Sequence, residues 1–445
     1  MRLPVVALVA FVVAAACTED VGVVGPAASA GTSTTVVVSD TGSVEPSSST
    51  SVLVTTSTST SSTIPFSSDL VTVRVPFDEK TFGDAVMSSV AASGVGFVAV
   101  GVSVDGLQGD GLVWVSSDGY TWSRVSQGQQ VFGGANLNSI TAYGDGLVVV
   151  GTEHSETDID AGVWWSDDGL NWVRAPHDET IFGGDGNQFM VSVASIAGGL
   201  VAVGESFNPS EGSDAAVWIS ADGTEWDRVA PQGSVFDDSI MIDVTAFGDL
   251  LVAVGVTFSD RDGDAGVWTS TDGTNWTRIT QDPTIFGGDG DQMMTSVASS
   301  HGLLVAVGFD QVGRGDAAVW TSTDALTWTR IPHDESVFGG GEDGGAEMTS
   351  VEIYGHGFVA GGLQQSAGDM DAVVWTSPDG LAWERIITDP EIFGGRDAQK
   401  IMSNHQDALE RINGSNGRFL TTCGDRRHRD CLCRRHQSFG GEPHR

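Results

Sequence analysis

The chain has 445 residues, with 59 acidic against 21 basic side chains and a net charge of −38. Such a charge repels the phosphates of nucleic acids and anionic lipid headgroups, so we predict no nucleic acid partner and no membrane binding through the protein surface. The chain is longer than one ordinary domain, but a single repeat fold can be as long as this.

Residues 1–17 have the pattern of an export signal. Met1 and Arg2 precede an apolar run from Leu3 to Ala16, which is too short for a permanent membrane-spanning helix. The end of this run, three alanines followed by Cys17, resembles the lipobox of bacterial lipoproteins. The resemblance implies that an acylated Cys17 anchors the chain to a cell membrane, facing the extracellular or periplasmic side. Cleavage after Ala16 without a lipid is the alternative.

Residues 18–69 consist mainly of Ser, Thr, Val, Ala and Gly, and Phe66 is the first aromatic residue within this segment. A segment without periodic apolar positions cannot bury a core, so we predict a disordered tether. A flexible coil of about 50 residues has an end-to-end distance of roughly 40 Å, which would hold a folded head clear of a membrane.

Residues 70–400 contain six copies of one short segment. The fourth copy starts at Val267 and reads VWTSTDGTNWTRI. An apolar run enters a polar Ser-Thr-Asp-Gly turn and a second short strand leaves it, which is typical of a β-hairpin. The copies recur at intervals of about 50 residues, and this period indicates a repeat architecture. The aspartates of the six turns are Asp118, Asp168, Asp222, Asp272, Asp324 and Asp379.

All 13 tryptophans of the chain lie in these six segments, which favours a structural role in every repeat over a ligand site. A full repeat also carries three further strand signals, and Leu303–Val307 is a continuous apolar run between two glycines. Four antiparallel strands per repeat predict the blade of an all-β propeller. The frequent glycines and the missing 3.6-residue period exclude a helical solenoid.

The hairpin resembles the Asp-box of the β-propellers that include sialidases and other bacterial neuraminidase-repeat proteins. It departs from the usual motif because Gly follows Asp directly, as in Asp272-Gly273, and because Ala325 replaces this Gly in the fifth copy. The resemblance implies a propeller fold and makes a sialidase-like glycoside hydrolase one candidate function.

The blade count depends on the two ends of the repeat region. Residues 73–79 align with the fourth strand of a repeat, so the chain enters the repeat region with the outer strand of a blade whose other three strands come from the C-terminal end. We therefore predict six complete blades, and a seventh that is closed by strands from both ends and begins near Ile401.

Residues 401–445 form an aberrant tail that holds eight of the 21 basic residues and three of the four cysteines. A shifted reading frame or truncated gene is the favoured explanation, and a degenerate last blade is the second. A metal site is the third, because zinc accepts Cys and His. Its ligands would come from Cys423, His428, Cys431, Cys433 and His436.

An aspartate precedes the Val-Trp pair of every repeat and is expected in a loop at the channel face. Such a ring of carboxylates is suited to calcium, although each aspartate can equally cap its own strand or remain solvated. Otherwise no cofactor is predicted. The ring consists of Asp110, Asp160, Asp214, Asp264, Asp316 and Asp371.

By the family resemblance, a sialidase needs three arginines that converge on the substrate carboxylate. The repeated arginines all occupy the same outer-strand position, and only Arg261, Arg314 and Arg396 lie in candidate channel loops. We therefore predict a monomeric, lipid-tethered binding or scaffold module for proteins or glycans, with the sialidase-like hydrolase as the alternative. The repeated arginines are Arg124, Arg174, Arg228, Arg278, Arg330 and Arg385.

Overall fold

A computed structural model describes residues 33–37, 55–59 and most of 75–386. Short gaps in the last range fall at 76–77, 79, 84, 95, 104–108, 127–128, 156–157, 260–261, 312–314, 341–343 and 367–368. Within the segment expected to be a tether, β1 (Ser33–Val37) pairs antiparallel with β2 (Thr55–Ser59). No helix in the described part of the chain is long and apolar enough to cross a bilayer.

The rest of the described chain forms six four-stranded antiparallel sheets, each made of consecutive strands. They are the six blades of a β-propeller, and the predicted all-β fold with six complete blades is confirmed. The seventh blade, expected from residue 401 onward, lies outside the described residues. Only short helices occur among the described connections: α1 (Gln129–Phe132), α2 (Glu335–Phe338) and a single 3-10 turn (Gly233–Val235).

Blades 1 to 3 extend from residue 85 to residue 228. Their strands are β3 (Ala85–Ser93), β4 (Gly96–Ser103), β5 (Gly111–Ser116), β6 (Ser123–Arg124), β7 (Ala135–Tyr143), β8 (Gly146–His154), β9 (Ile159–Ser166), β10 (Val173–Arg174), β11 (Asn187–Ile196), β12 (Gly199–Asn208), β13 (Gly212–Ser220) and β14 (Asp227–Arg228).

Blades 4 to 6 extend from residue 239 to residue 386. Their strands are β15 (Ser239–Phe247), β16 (Leu250–Phe258), β17 (Gly263–Ser270), β18 (Trp276–Arg278), β19 (Gln292–Ser300), β20 (Leu303–Asp310), β21 (Asp316–Ser322), β22 (Trp328–Arg330), β23 (Ala346–Tyr354), β24 (Gly357–Ser366), β25 (Asp369–Ser377) and β26 (Glu384–Ile386).

The core lies between neighbouring blades. At the interface of blades 4 and 5, Val252 and Val254 on β16 pack against Leu304 and Ala306 on β20 and against Trp320 on β21. Equivalent clusters join the other successive blades, from the first to the sixth. Each buried valine or leucine contributes about 1.5–3 kcal/mol, so the apolar second strands hold the blades together.

The inner strand of every blade carries a β-bulge at the same place, which explains a glycine in the second strand. In blade 5 the register shifts between Met294 and Ser296, opposite Gly308. A Cβ on Gly308 would lie 1.9 Å from the carbonyl oxygen of Met293, so no larger residue fits. The bulge also tilts the inner strand and turns the following side chain toward the neighbouring inner strands.

Blade 1 has one face that is less well packed than its counterparts. Met87 and Trp122 on this face are only partly buried, whereas Met241 and Trp276, at the same positions of blade 4, are 0% and 4% exposed. The turn before the blade contacts this side of it, because Trp114 Nε1 donates to the carbonyl of Thr81 at 2.7 Å. This face is where a preceding blade would pack.

Candidate functional site

The outer hairpin of each blade is closed by a Ser–Asp pair. In blade 4, Ser270 Oγ accepts from the N–H of Gly273 at 2.9 Å, and Asp272 Oδ1 accepts from the N–H groups of Thr274 and Asn275 at 2.8 and 2.7 Å. Hydrogen bonds to the charged carboxylate hold the pKa of Asp272 far below its usual value, those from Asn275 having the largest effect. The turn is therefore held in one conformation.

Large apolar side chains stand on four of these six turns, at the position after the Gly or Ala. They are more than half exposed in three cases and 48% exposed in the fourth. Blades 3 and 4 have Thr224 and Thr274 at this position. The four turn-tip residues are Tyr120, Leu170, Leu326 and Leu381.

The first tryptophan of each hairpin locks its blade to the segment that enters it. Trp268 Nε1 donates to the carbonyl of Val235 at 2.8 Å, and the guanidinium carbon of Arg278 lies 5.8 Å from the centre of the Trp268 rings. Arg278 also donates to Val235 and Asp237 carbonyls. Burial lowers the pKa of this arginine. The geometry gives tryptophan and arginine a structural role.

The same stacking recurs in blades 3, 5 and 6, where Arg228, Arg330 and Arg385 lie 5.4–5.7 Å from their own tryptophans. These arginines belong to separate blades and contact their own loops, as in the donation of Arg385 to the Gly339 carbonyl. The loop arginines considered for a sialidase site, Arg261, Arg314 and Arg396, lie outside the described residues, as do Cys17 and the cysteines of the tail.

The aspartates expected at the channel face begin, or lie next to the start of, the third strand of each blade. Three of them anchor the loop that leads to the next blade. Asp110 Oδ1 accepts from Gly134 N–H at 3.0 Å, Asp214 from Asp238 N–H at 3.0 Å and Asp316 from Gly340 N–H at 3.4 Å. Asp264 lies against Gly287 in the corresponding loop, and Asp371 pairs with Gln364 in the ladder.

The charges that act on these aspartates come from their own loops. Burial is the main cause that raises the pKa of Asp214, followed by Asp237 and Asp238 nearby, with the Asp238 N–H acting in the opposite direction. Burial and then Asp262 and Asp291 raise the pKa of Asp264. Neither the pKa of Asp214 nor that of Asp264 is shifted by another aspartate of the ring. A calcium site shared around the ring stays a prediction.

Two repeats place a histidine and a glutamate beside this aspartate. Asp160, His177 and Glu179 have one ligand atom each within 4.8 Å of one another, and the same holds for Asp316, His333 and Glu335 three blades later. Both histidines follow the fourth strand of their blade and lie 3.2 Å from the glutamate carboxylate. These are the two candidate metal-ligating clusters in the described chain.

The repeat symmetry is broken most clearly on the inner strands. Asp243 of blade 4 stands where the other blades have Ser, directly after the bulge. Its Oδ1 accepts from Ser192 Oγ in blade 3 at 2.7 Å, and its Oδ2 accepts from Ser296 Oγ and Val297 N–H in blade 5 at 3.0 and 2.9 Å. Burial raises the pKa of Asp243, while these hydrogen bonds favour the charged form. One carboxylate thus joins three blades.

Glu352 of blade 6 is a second acidic residue that the other repeats lack. The residue is exposed to solvent, and partial desolvation of its carboxyl group, followed by the nearby charge of Asp243, raises its pKa to about 7. Desolvation also raises the pKa of Glu205 to about 7 and that of Glu347 to about 6. These groups titrate near neutral pH, as proton-transfer groups do.

Sequence reasoning missed Asp243 and Glu352 as candidate site residues. The signal was present, because the inner-strand segment begins with Asp only in blade 4, and Glu352 falls where blade 5 has Ala298. The candidate site therefore has three parts: the turn tips, the two Asp-His-Glu clusters and the acidic inner strands.

No protein-family model and no curated protein matches the chain. Similar solved structures include YCF48 bound to a D1 peptide, with 15% identity and a TM-score of 0.43 over 72% of this chain and 85% of that one. A GH74 xyloglucanase from Xanthomonas campestris is 17% identical, with a TM-score of 0.43 over 64% of this chain and 44% of that one.

A subtype N10 neuraminidase-like protein of A/little yellow-shouldered bat/Guatemala is also similar, with 9% identity and a TM-score of 0.40 over 71% of this chain and 98% of that one. Solved structures similar to this chain thus include a neuraminidase-like protein, as the hairpin resemblance predicted. At such low identities and TM-scores it carries no information about activity.

Proposed function

We propose that the chain is a non-catalytic binding or scaffold module, tethered to the outer side of a cell membrane through a lipid on Cys17, whose propeller binds proteins or glycans. The observation that carries this proposal is the set of exposed apolar side chains on the outer turns, Tyr120, Leu170, Leu326 and Leu381. An interaction surface needs exposed apolar groups that one partner can cover together.

The turns are preorganised for binding. In blade 2, Asp168 Oδ1 accepts from Leu170 N–H at 2.9 Å and from Asn171 N–H at 2.7 Å, so the backbone below the leucine is fixed. The hydrogen bonds from Asn171 and Leu170 lower the pKa of Asp168 to about 2, and the clamp persists at every physiological pH. A fixed surface loses little conformational entropy when a partner binds.

The spacing of the turns favours an extended partner. Packed sheets lie about 10 Å apart, so tips on neighbouring blades are separated by at least roughly that distance. A small ligand would contact one tip, whereas a protein surface or a polymeric glycan can contact several. Among these, the exposed aromatic side chain of Tyr120 favours a protein partner.

A glycoside hydrolase of the sialidase-like class is the second candidate, and the acidic inner strands favour it. Glu352, with a pKa of about 7, is suited to donate a proton, and Asp243 is a nearby carboxylate. The repeated arginines speak against it, because Arg228, Arg278 and Arg385 stack on the tryptophans of three different blades.

The proposal is tested by giving all four turns the residue of blades 3 and 4. A variant with Tyr120→Thr, Leu170→Thr, Leu326→Thr and Leu381→Thr should keep its thermal stability and lose cross-links to envelope proteins on intact cells. Unchanged cross-linking would contradict the turn-tip surface. Loss of Cys17 by Cys17→Ala should release the chain from the membrane fraction, and turnover of a fluorogenic sialoside that disappears in Glu352→Gln would establish the hydrolase instead.

A further inference from the structure

The Asp-His-Glu cluster of blade 2 is assembled by two elements that the outer hairpin brings together. Asp160 belongs to β9, and His177 and Glu179 follow β10, its partner in the hairpin. His177 Nε2 lies 3.9 Å from Asp160 Oδ2 and 3.2 Å from Glu179 Oε2. Glu179 is held in turn by its other oxygen, because Oε1 accepts from Gly184 N–H at 3.2 Å.

Asp160 is buried with part of its hydrogen-bonding capacity unused. The residue is 4% exposed, and its Oδ1 is a buried oxygen without a hydrogen-bond partner in the structure. A buried carboxylate oxygen is costly unless a donor, a water or a cation satisfies it. In blades 1 and 5, the N–H groups of Gly134 and Gly340 donate to the Oδ1 atom of the corresponding aspartate. In blade 2 the equivalent donor, Gly184, binds Glu179 instead.

The surroundings of Asp160 carry an excess of negative charge. Glu153 lies directly opposite Asp160 in the ladder, and its carboxylate pairs with Arg174. The charges of Asp158 and Glu179 act on Asp160 from the loop side. Arg174 is engaged by Glu153, so His177 is the remaining group that faces the buried carboxylate. A cation would balance these charges.

We propose that Asp160, His177 and Glu179 bind one divalent transition-metal cation of the zinc class, each through a single ligand atom. An imidazole nitrogen with two carboxylate oxygens is a donor set that zinc accepts, while calcium prefers oxygen ligands alone. Three atoms that each lie about 2.1 Å from one ion are about 3–4 Å apart, so small side-chain rotations would complete the site. Three protein ligands leave a position for water or for a group of a bound partner.

The cluster of blade 5 is a matched internal comparison. Asp316, His333 and Glu335 repeat the residue types, with His333 Nε2 3.7 Å from Asp316 Oδ2. The side chain of Asp316 is 31% exposed, however, and its Oδ1 already accepts from Gly340 N–H. This copy should therefore bind the cation more weakly.

The test is a calorimetric titration of the full chain with Zn²⁺. The chain is first freed of metal with a chelator, and its thiols are alkylated so that the cysteines of the tail do not bind zinc. Asp160→Asn keeps the shape of the side chain, and His177→Gln introduces the residue that blade 4 has in Gln281. His333→Gln is the control in blade 5.

We expect one tight Zn²⁺ event in the wild type and in His333→Gln, and a loss of affinity of at least about tenfold in both Asp160→Asn and His177→Gln. Zn²⁺ should also raise the melting temperature of the wild type but not that of Asp160→Asn. Binding that survives His177→Gln, or no binding up to millimolar Zn²⁺, would overturn the proposal. The His177 side chain is 34% exposed, so this variant remains informative if Asp160→Asn fails to fold.

Discussion

At the outer hairpin of blade 4, Asp272 binds the backbone of its own turn, as its counterparts do in the five other blades. On the inner strand of the same blade, Asp243 binds Ser192 and Ser296 of the two neighbouring blades, and no other blade has an aspartate there. The repeated carboxylate stabilises a local structure, whereas the unique one joins separate blades. Positions that depart from the repeat are thus the informative ones for function.

The largest expected effect contrasts two tryptophans at the same hairpin position. Trp276 is 4% exposed between blades 3 and 4, so Trp276→Ala should cost about 3–5 kcal/mol of unfolding free energy. Trp122 is only partly buried on the less well packed face of blade 1, and Trp122→Ala should cost clearly less. Urea unfolding measures both. Equal losses would mean that this face is packed as tightly as the others.

The next effect concerns the inner strands. Asp243→Ala leaves the hydroxyls of Ser192 and Ser296 and the N–H of Val297 without their acceptor, which should cost about 1–3 kcal/mol. Asp243→Ser restores the residue of the other blades, where Ser89 Oγ accepts from Ile140 N–H. Asp243→Ser should therefore lose much less stability than Asp243→Ala. An equal loss of stability in thermal unfolding would show that the carboxylate itself is required.

A smaller effect is expected at the turn glycine. Gly273 has a φ of 74°, and a methyl group there would lie 3.1 Å from Val201 Cγ2, so Gly273→Ala should cost about 1–2 kcal/mol. Ala325 occupies this position in blade 5 with a φ of 62°. Ala325→Gly removes the backbone strain of the positive φ but also removes a buried methyl group. These two effects on the unfolding free energy should cancel to within about 1 kcal/mol. A large gain in melting temperature would show that strain dominates.

The smallest effect is expected from pH. Burial raises the pKa of Glu205 from 4.5 to about 7, so the folded protein keeps a proton that the unfolded chain releases. The associated stability is fully present below the unfolded pKa and is lost as pH rises through the folded one. The melting temperature should therefore fall by a few degrees between about pH 5 and pH 8, and less in Glu205→Gln. An identical pH profile in the variant would contradict this assignment.

The hairpin pattern was sufficient to predict the six blades, because turn residues and paired tryptophans act locally and recur at a fixed period. The partners of the loop aspartates could not be predicted in the same way. Asp160 and Asp316 precede nearly identical His-Asp-Glu segments, yet Gly340 N–H binds Asp316 while Gly184 N–H binds Glu179. This difference depends on the loop backbone, where Gly184 has a φ of 135°, and residue types do not encode it.

Hydrogen exchange tests most directly whether the blades form one body through their buried second strands. Peptides that cover β8, β12, β16, β20 and β24 should exchange far more slowly than those that cover the exposed outer turns, such as residues 270–276. Exchange of these second strands at the rate of the outer turns would contradict the packing of neighbouring blades on which the propeller depends.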